Sequence, residues 1–496
     1  MSRRPFLAPC FLLLATFAIA PARAGEPPPN ATPAAAPAPP TPAPTAGHRY
    51  ALGELIARAQ RHYPGVAAAE HAVAAMEQKL FQARWAWLPR GELNAVFAPT
   101  PEIRCFDDAG NPDEQSCVRT NIREIAFNLN GVFGRAQLEL GMPLYTFGKL
   151  SAVGNAARAG VALEQARLAA ARRDLELNVT KAYWGAKLAS AILEMIHEGR
   201  EHLDKASARL TQQLEDDSGD ATVTDELRLK TYTVEIDTRT LEARKLQQLA
   251  LRSLSALTGL PADRIELDDA PLEASSAELL AGADYQRAAR QQRPEMHLLE
   301  AALSAVQARS QLERARLWPD LLLVGRAGIG RATNVDFPQN AFLNNPFNFS
   351  SAGLALTLHW QLDTVQQIGR LREALANGRR LAAKRQEALT GMKLEIEKVY
   401  LELQEAQQRL VVAERGHRSA RSWLVATSQN LSAGLAEPKE LTDALVAYFR
   451  LRLTVLQAIF DVNVGWSELA RKVGLATTEL TRTLIAPPAP TPAPTS

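Results

Sequence analysis

LELNVTKAYW, residues 175–184, and MKLEIEKVYL, residues 392–401, carry nearly the same message twice. Each has an apolar residue at its third and fifth places, then Lys, then an apolar residue, then Tyr: Tyr183 in the first, Tyr400 in the second. Around the first copy, Leu175, Val179, Ala182, Ala186, Ala189, Leu193 and Ile196 step by four and three, and Leu203 and Leu210 continue the sevenfold step. That spacing puts one apolar seam on a helix, as packing against other helices requires. No proline occurs from Leu144 to Leu260, from Phe347 to Glu437 or from Lys439 to Ala486, so nothing breaks a helix there. Ala, Leu, Glu, Gln, Lys and Arg dominate these stretches and favour helix. Residues 149–216 and 364–431 thus read as matching helices of about 100 Å at 1.5 Å per residue.

Working outward, each long helix ends in a turn, DDSGDA near 216–221 and SAGLAEP near 432–438, and a shorter helix returns from it. Each is preceded by a helical block, 51–87 or 284–317, that runs into WLPRGELNAVF or LWPDLLLVGRA. Between the blocks the period changes to two. Ile125, Phe127, Leu129, Gly131 and Phe133, then Leu138, Leu140, Met142 and Leu144, and later Leu354, Leu356, Leu358, Trp360 and Leu362 alternate with small or polar residues. This is the signature of strands with one apolar face. The chain is therefore a duplication of one unit: helix, strand, hairpin loop, strand, very long helix, turn, long helix.

The ends differ from the rest. Residues 1–24 carry Arg3 and Arg4, an apolar run from Phe6 to Ile19, and Ala22-Arg23-Ala24, the pattern of an export signal peptide. Residues 25–47 and 477–496 read as a Pro/Ala-rich disordered linker and a disordered tail, too poor in apolar surface to fold. Of the 496 residues 22% are charged and the net charge is +2, which gives no nucleic-acid signature. An exported chain meets oxidising conditions, so Cys105 and Cys117, either side of a polar, turn-rich stretch, are expected to pair. A ring of that size adds roughly 3 kcal/mol in the chain-entropy model.

Each repeat supplies two strands, of about 9–11 residues, a length that suits a bilayer. Four strands in a row leave two open edges, and open edges in hydrocarbon cost several kcal/mol per unpaired group. Several copies must then pool strands into one closed wall. A helical protein with two incidental hairpins, non-conducting and structural or adhesive, in the outer membrane or the periplasm, is the competing reading. Chemistry has little foothold. Gly328-Ile329-Gly330 lacks the third glycine and the helix of a nucleotide loop, the eight His are scattered without metal-ligand spacing, and no nucleophile or carboxylate pair stands out. No enzyme activity, cofactor or metal is expected.

LGMPLYTFGKLSAVGNAARAG (140–160), the pair NVTKAYW and EIEKVYL, and NLSAGLAEPKELTDALVAYFRLRLTVLQA (430–458) together resemble the TolC-like outer membrane channel-tunnel (outer membrane efflux protein) family. The resemblance runs from about residue 48 to about 476. It implies an α+β membrane protein: a homotrimer with a twelve-stranded transmembrane β-barrel, four strands per protomer, continued by a long periplasmic α-helical coiled-coil barrel. On that plan 48–88 and 284–317 are helical-barrel segments, 89–147 and 318–363 the two β-hairpins, and 148–258 and 364–476 the long helices of each repeat. Residues 259–283 form the equatorial segment. The implied role is a passive outer-membrane exit duct of an efflux pump or type I secretion system. Its partners would be outer-membrane lipid, a periplasmic adaptor and an inner-membrane transporter, with no nucleic acid.

The resemblance also places a gate. Glu440 and Asp443, three residues apart after the second turn, match the family's paired acids; such a ring attracts cations at a narrow mouth. Without the resemblance both read as ordinary acids at a helix start. Asp225 matches Glu440 in the first repeat, and Glu215, Asp216, Asp217 and Asp220 crowd the first turn as possible tip contacts. The family's latch partners fall here on Leu431 and Ala436, whose side chains can form neither a hydrogen bond nor an ion pair, so closure must use other contacts. Tyr183 and Tyr400 are expected to pack at equivalent points of the two longest helices.

Overall fold

The computed structural model describes residues 48–105, 109, 111, 123–215, 222–336, 345–433, 435 and 437–483. Elements follow one another as the duplication predicts. Strand β1 (Arg49–Tyr50) leads to helices α1 (Leu52–His62) and α2 (Pro64–Arg84), strands β2 (Arg90–Cys105) and β3 (Arg123–Tyr145), and helices α3 (Lys149–Glu215) and α4 (Val223–Thr258). After a short connection with β4 (Glu266–Leu267), the second repeat runs through α5 (Gly282–Gln292), α6 (Pro294–Ala315), β5 (Asp320–Ala332), β6 (Phe349–His359), α7 (Thr364–Ser432) and α8 (Pro438–Val473). Helix α9 (Thr477–Thr483) follows. The long helices α3 and α7 have 67 and 69 residues, and the returning helices α4 and α8 have 36 each.

Three expectations need correction. The blocks read as single helices at 51–87 and 284–317 are each two helices. The breaks fall at Tyr63-Pro64 and Arg293-Pro294, where the residue before proline is extended (ψ 121° and 122°). Proline's ring disfavours the helical state of its predecessor but suits the first position of the next helix. Second, the strands have 16, 23, 13 and 11 residues, so most outrun the 9–11 expected. Residues 123–126 and Gly131 of β3 pair with β2 alone, and pairing with β5 begins at Phe133. Third, the region expected as a tail from 477 opens with α9. Seven residues are too few for a helix on its own. Leu480, 1% exposed in the cluster of Met392, Ile396, Leu403 and Leu469, anchors it, and burying one leucine contributes about 2 kcal/mol.

One sheet runs β2-β3-β5-β6, every neighbour antiparallel. Parity sorts its faces. Leu93, Leu138, Leu140, Leu323, Ile329, Leu354, Leu356 and Leu358 share one face, whereas Glu92, Asn94, Gln137, Glu139, Arg326 and Thr357 share the other. The helices repeat this order. α2 packs on α3, α3 on α6 and α6 on α7; below, α4 packs on α3, α3 on α8, and α8 on α7.

Two clusters close the middle of the chain. Leu55, Val66, Leu175, Val179, Tyr183 and Leu254 form the core of the first repeat, and Tyr285, Met296, Ile396, Leu403, Trp466 and Leu469 that of the second. Each returning helix ends in the same way, with a left-handed glycine, Gly259 (φ 71°) or Gly474 (φ 96°), against the helix break of its own repeat. A β carbon on Gly474 would lie 2.6 Å from the Arg293 Cα and the Gln292 carbonyl oxygen.

Candidate functional site

The functional geometry lies at three levels: the sheet, the middle of the helices and their tips. At the sheet, the apolar face is bare in the single chain, with Leu93, Phe97 and Leu354 at 69%, 80% and 79% exposed. An aromatic residue marks the same end of every strand. Trp87 precedes β2, Tyr145 ends β3, Trp318 precedes β5 and Trp360 follows β6. Phe147 stacks on Trp318 at 5.6 Å and meets Tyr145 edge-on at 4.7 Å, and the Trp360 indole N–H donates to the Leu317 carbonyl (3.2 Å). The 11 residues of β6 span about 36 Å at ~3.3 Å each, or about 28 Å of height at a tilt of ~40°. That fits a barrel strand with an apolar band of about 25 Å and an aromatic girdle. On the opposite face the Arg326 guanidinium donates to Glu139 (2.9 Å) across the β3–β5 pair.

At mid-height, Tyr183 of α3 and Tyr400 of α7 differ in what they touch. Tyr183 is 3% exposed and its hydroxyl donates to Asp268 (2.8 Å) in the connection between repeats. Lys187, one turn on, pairs with the same carboxylate (2.5 Å) and donates to the Ala270 carbonyl (2.8 Å). Burial and the Asp268 charge push the Tyr183 phenol up. Burial alone would raise the Asp268 pKa, but the hydrogen bonds from Lys187 and Tyr183 outweigh it and hold the carboxyl below its usual range. Tyr400 instead packs against the Tyr285 ring at 6.3 Å. From α8, the Asn463 amide accepts from the Ser275 N–H (2.9 Å) and donates to the Glu273 carbonyl (2.8 Å). The connecting segment is thus pinned from both repeats. Sequence reasoning missed Lys187, Asp268 and Asn463. Only Asn463 gave a signal, as a lone amide in the apolar run FDVNVGW.

At the tips, Glu440 lies in the first turn of α8 and Asp443 one turn on, both exposed. Asp225 belongs to the first turn of α4 and Glu215 closes α3, but their side chains lie outside the described residues. Asp216, Asp217, Asp220 and Ala436 lie outside them altogether, as does Cys117; Cys105 ends β2 without a described side chain. Leu431 of α7 lines a cavity of about 960 Å³ between α3, α4, α7 and α8, together with Leu210, Leu229, Leu445 and Phe449.

Residues 286–474 match the family model described as "Outer membrane efflux protein". That match takes in the second repeat of the chain. An outer membrane efflux protein of this kind is a non-catalytic duct of the outer membrane that reaches into the periplasm. Among curated relatives, the alkaline protease secretion protein AprF of Pseudomonas aeruginosa is 24% identical over 358 residues, 68% of this chain and 69% of that one. Among solved structures, the outer-membrane channel OprN aligns with a TM-score of 0.68 at 17% identity, covering 86% of this chain and 90% of that one. The outer membrane protein VceC from Vibrio cholerae aligns with the same TM-score at 18% identity, covering 86% and 96%. The fold of these outer-membrane channels is therefore the fold of this chain, with its long helices and four-stranded sheet.

Proposed function

We propose that three copies of this chain close a twelve-stranded barrel and a helical tunnel, and that the assembly is the passive exit duct of a tripartite efflux or type I secretion system. The observation that carries this is the pair of open edges. Among the described residues β2 and β6 bound the sheet with no strand beyond either, while the sheet's apolar face demands lipid. Unpaired backbone in hydrocarbon is too costly to persist, so the β6 edge of one copy must meet the β2 edge of the next. The helices support the same closure. Leu227, Val234 and Leu241 form an exposed stripe at sevenfold spacing on α4, and Leu394, Leu401 and Val412, seven and eleven residues apart, a second on α7. Each fits a neighbouring copy's helix.

In that assembly Glu440 and Asp443 ring the entrance three times over. The ring is a cation-attracting filter, and energy comes from an inner-membrane transporter joined through a periplasmic adaptor. AprF is named as a protein for alkaline protease secretion, so cargo of this chain extends from small molecules to proteins. Detergent-purified protein should have the mass of a trimer and open cation-selective channels in planar bilayers. A monomer without conductance would overturn the reading. The double variant Glu440→Ala, Asp443→Ala should keep conducting but lose most of its cation selectivity; unchanged selectivity would remove the filter role alone.

A further inference from the structure

The two coiled coils of one chain, α3 with α4 and α7 with α8, meet along α3 and α8. Three ion pairs cross that seam: Arg471 with Asp174, Lys181 with Glu468 (2.6 Å), and Arg452 with Glu198. The first two lie beside the pinned middle of the molecule. The third stands apart, and among the described residues no ion pair joins α3 to α8 on its tip side.

Three helices draw together at this third pair. A β carbon on Gly199 of α3 would lie 3.3 Å from the Phe449 ring of α8, and one on Gly416 of α7 would lie 3.3 Å from Leu451 of α8. Glycine at both places lets bulky residues of α8 nest between its neighbours. The Tyr448 ring packs on His417 of α7 at 5.0 Å and on Phe449 at 5.1 Å. Burial works against the charge of Arg452, but the hydrogen bond to Glu198 and the contact with Tyr448 outweigh it and raise its pKa. Arg452 is therefore held between both coils: by charge to α3 and, through Tyr448, by stacking to α7.

We propose that Glu198 and Arg452 are positioning residues for the duct's entrance: the tie between them sets how far the two coiled-coil tips of each chain separate, and so the aperture lined by Glu440 and Asp443. This rests on the duct reading given above. The lever is short and direct. Arg452 stands twelve residues along α8 from Glu440, about 18 Å at 1.5 Å per residue, so a rotation of about 10° at the node moves Glu440 by about 3 Å. The need is specific to this sequence, because Leu431 cannot form a polar latch near the tip. A partly exposed ion pair contributes little to folding but enough to bias two arrangements of similar energy.

The test is single-channel recording on the full-length protein, with spin labels at positions 222 and 437 reporting the separation of the tips. Arg452→Ala and Glu198→Ala should each raise the occupancy of the high-conductance state about two- to fivefold, the range for an ion pair of this exposure. Both should lengthen the label distance while the assembly's mass stays that of the parent. The charge exchange Glu198→Arg with Arg452→Glu should return both readouts toward the parent, whereas either reversal alone should not. Parental conductance and label distance in Arg452→Ala, or an exchange variant as open as the single reversals, would overturn the proposal. If the parent opens no channel the duct reading fails, and the label distance still decides the tie.

Discussion

The first and second repeats share a skeleton and differ in how it is fastened. Helices of 11, 21, 67 and 36 residues in the first answer to 11, 22, 69 and 36 in the second, and both break at a proline. The fastenings diverge. Tyr183 is hydrogen-bonded to Asp268 and shares that carboxylate with Lys187, whereas Tyr400 only packs on Tyr285. In the second repeat Glu313 is 1% exposed and meets Arg309 and Arg316 at 2.8 and 3.0 Å, with Arg370 of α7 at 3.9 Å. No such buried acid appears on α2 among the described residues. Periodicity and length are kept as they would be if both repeats continue one wall in the proposed duct. Polar ties are free to differ because each repeat meets different neighbours, the connecting segment above all. The matched family model covers residues 286–474, within the second repeat.

The widest gap between the repeats should appear at their terminal glycines. Gly474→Ala adds a β carbon that collides with backbone at 2.6 Å and also imposes a left-handed alanine, so loss of the assembled protein from the membrane fraction is expected. Gly259→Ala meets nothing nearer than the His62 Cβ at 3.9 Å. It should cost only the backbone term of about 1–2 kcal/mol, read as a lower denaturation midpoint. Equal effects would show that the two caps are equally tight.

A smaller contrast is expected at the tyrosines. Tyr183→Phe removes a buried hydrogen bond and should cost about 1 kcal/mol in denaturant titration. Tyr400→Phe should lie within about 0.5 kcal/mol of the parent, as surface-like changes do. A larger loss at Tyr400 would reverse the assignment of the pinned repeat.

The smallest effect concerns acid. Burial first, then the charges of Arg452 and Arg421, hold His417 below the usual imidazole value. The unfolded chain therefore takes up this proton at higher pH than the folded one, and the stability linked to it is full above pH ~6.5 and lost as pH falls through the lowered folded value. The groups around it are Arg421 on α7, Tyr448 and Arg452 on α8, and Glu198 reached through Arg452. His417→Gln should flatten the fall in thermal midpoint between about pH 6.5 and 5. An unchanged slope would assign that acid sensitivity to the ion pairs of the seam instead.

Repetition, proline spacing and the change of period from four-and-three to two were enough to locate the long helices and the hairpins, whereas the acids after the second turn stood out only through the family resemblance. Those features are local: a helix seam or a strand face is written in residues a few positions apart. The helix breaks at Pro64 and Pro294 were equally local and went unread because the flanking apolar pattern runs straight through them. By contrast, Lys187 with Asp268, Asn463 with the 273–275 backbone, and Arg452 with Glu198 join residues 81 to 254 positions apart. Each is an ordinary surface-type residue in its own segment, and only the approach of another element takes it out of water. The sequence alone determined a duplicated chain of long helices and one-faced strands, because periodicity and backbone chemistry act within a few residues. The tertiary structure decided which charges meet and which sheet edges stay open, because partners and edges exist only once distant segments are brought side by side.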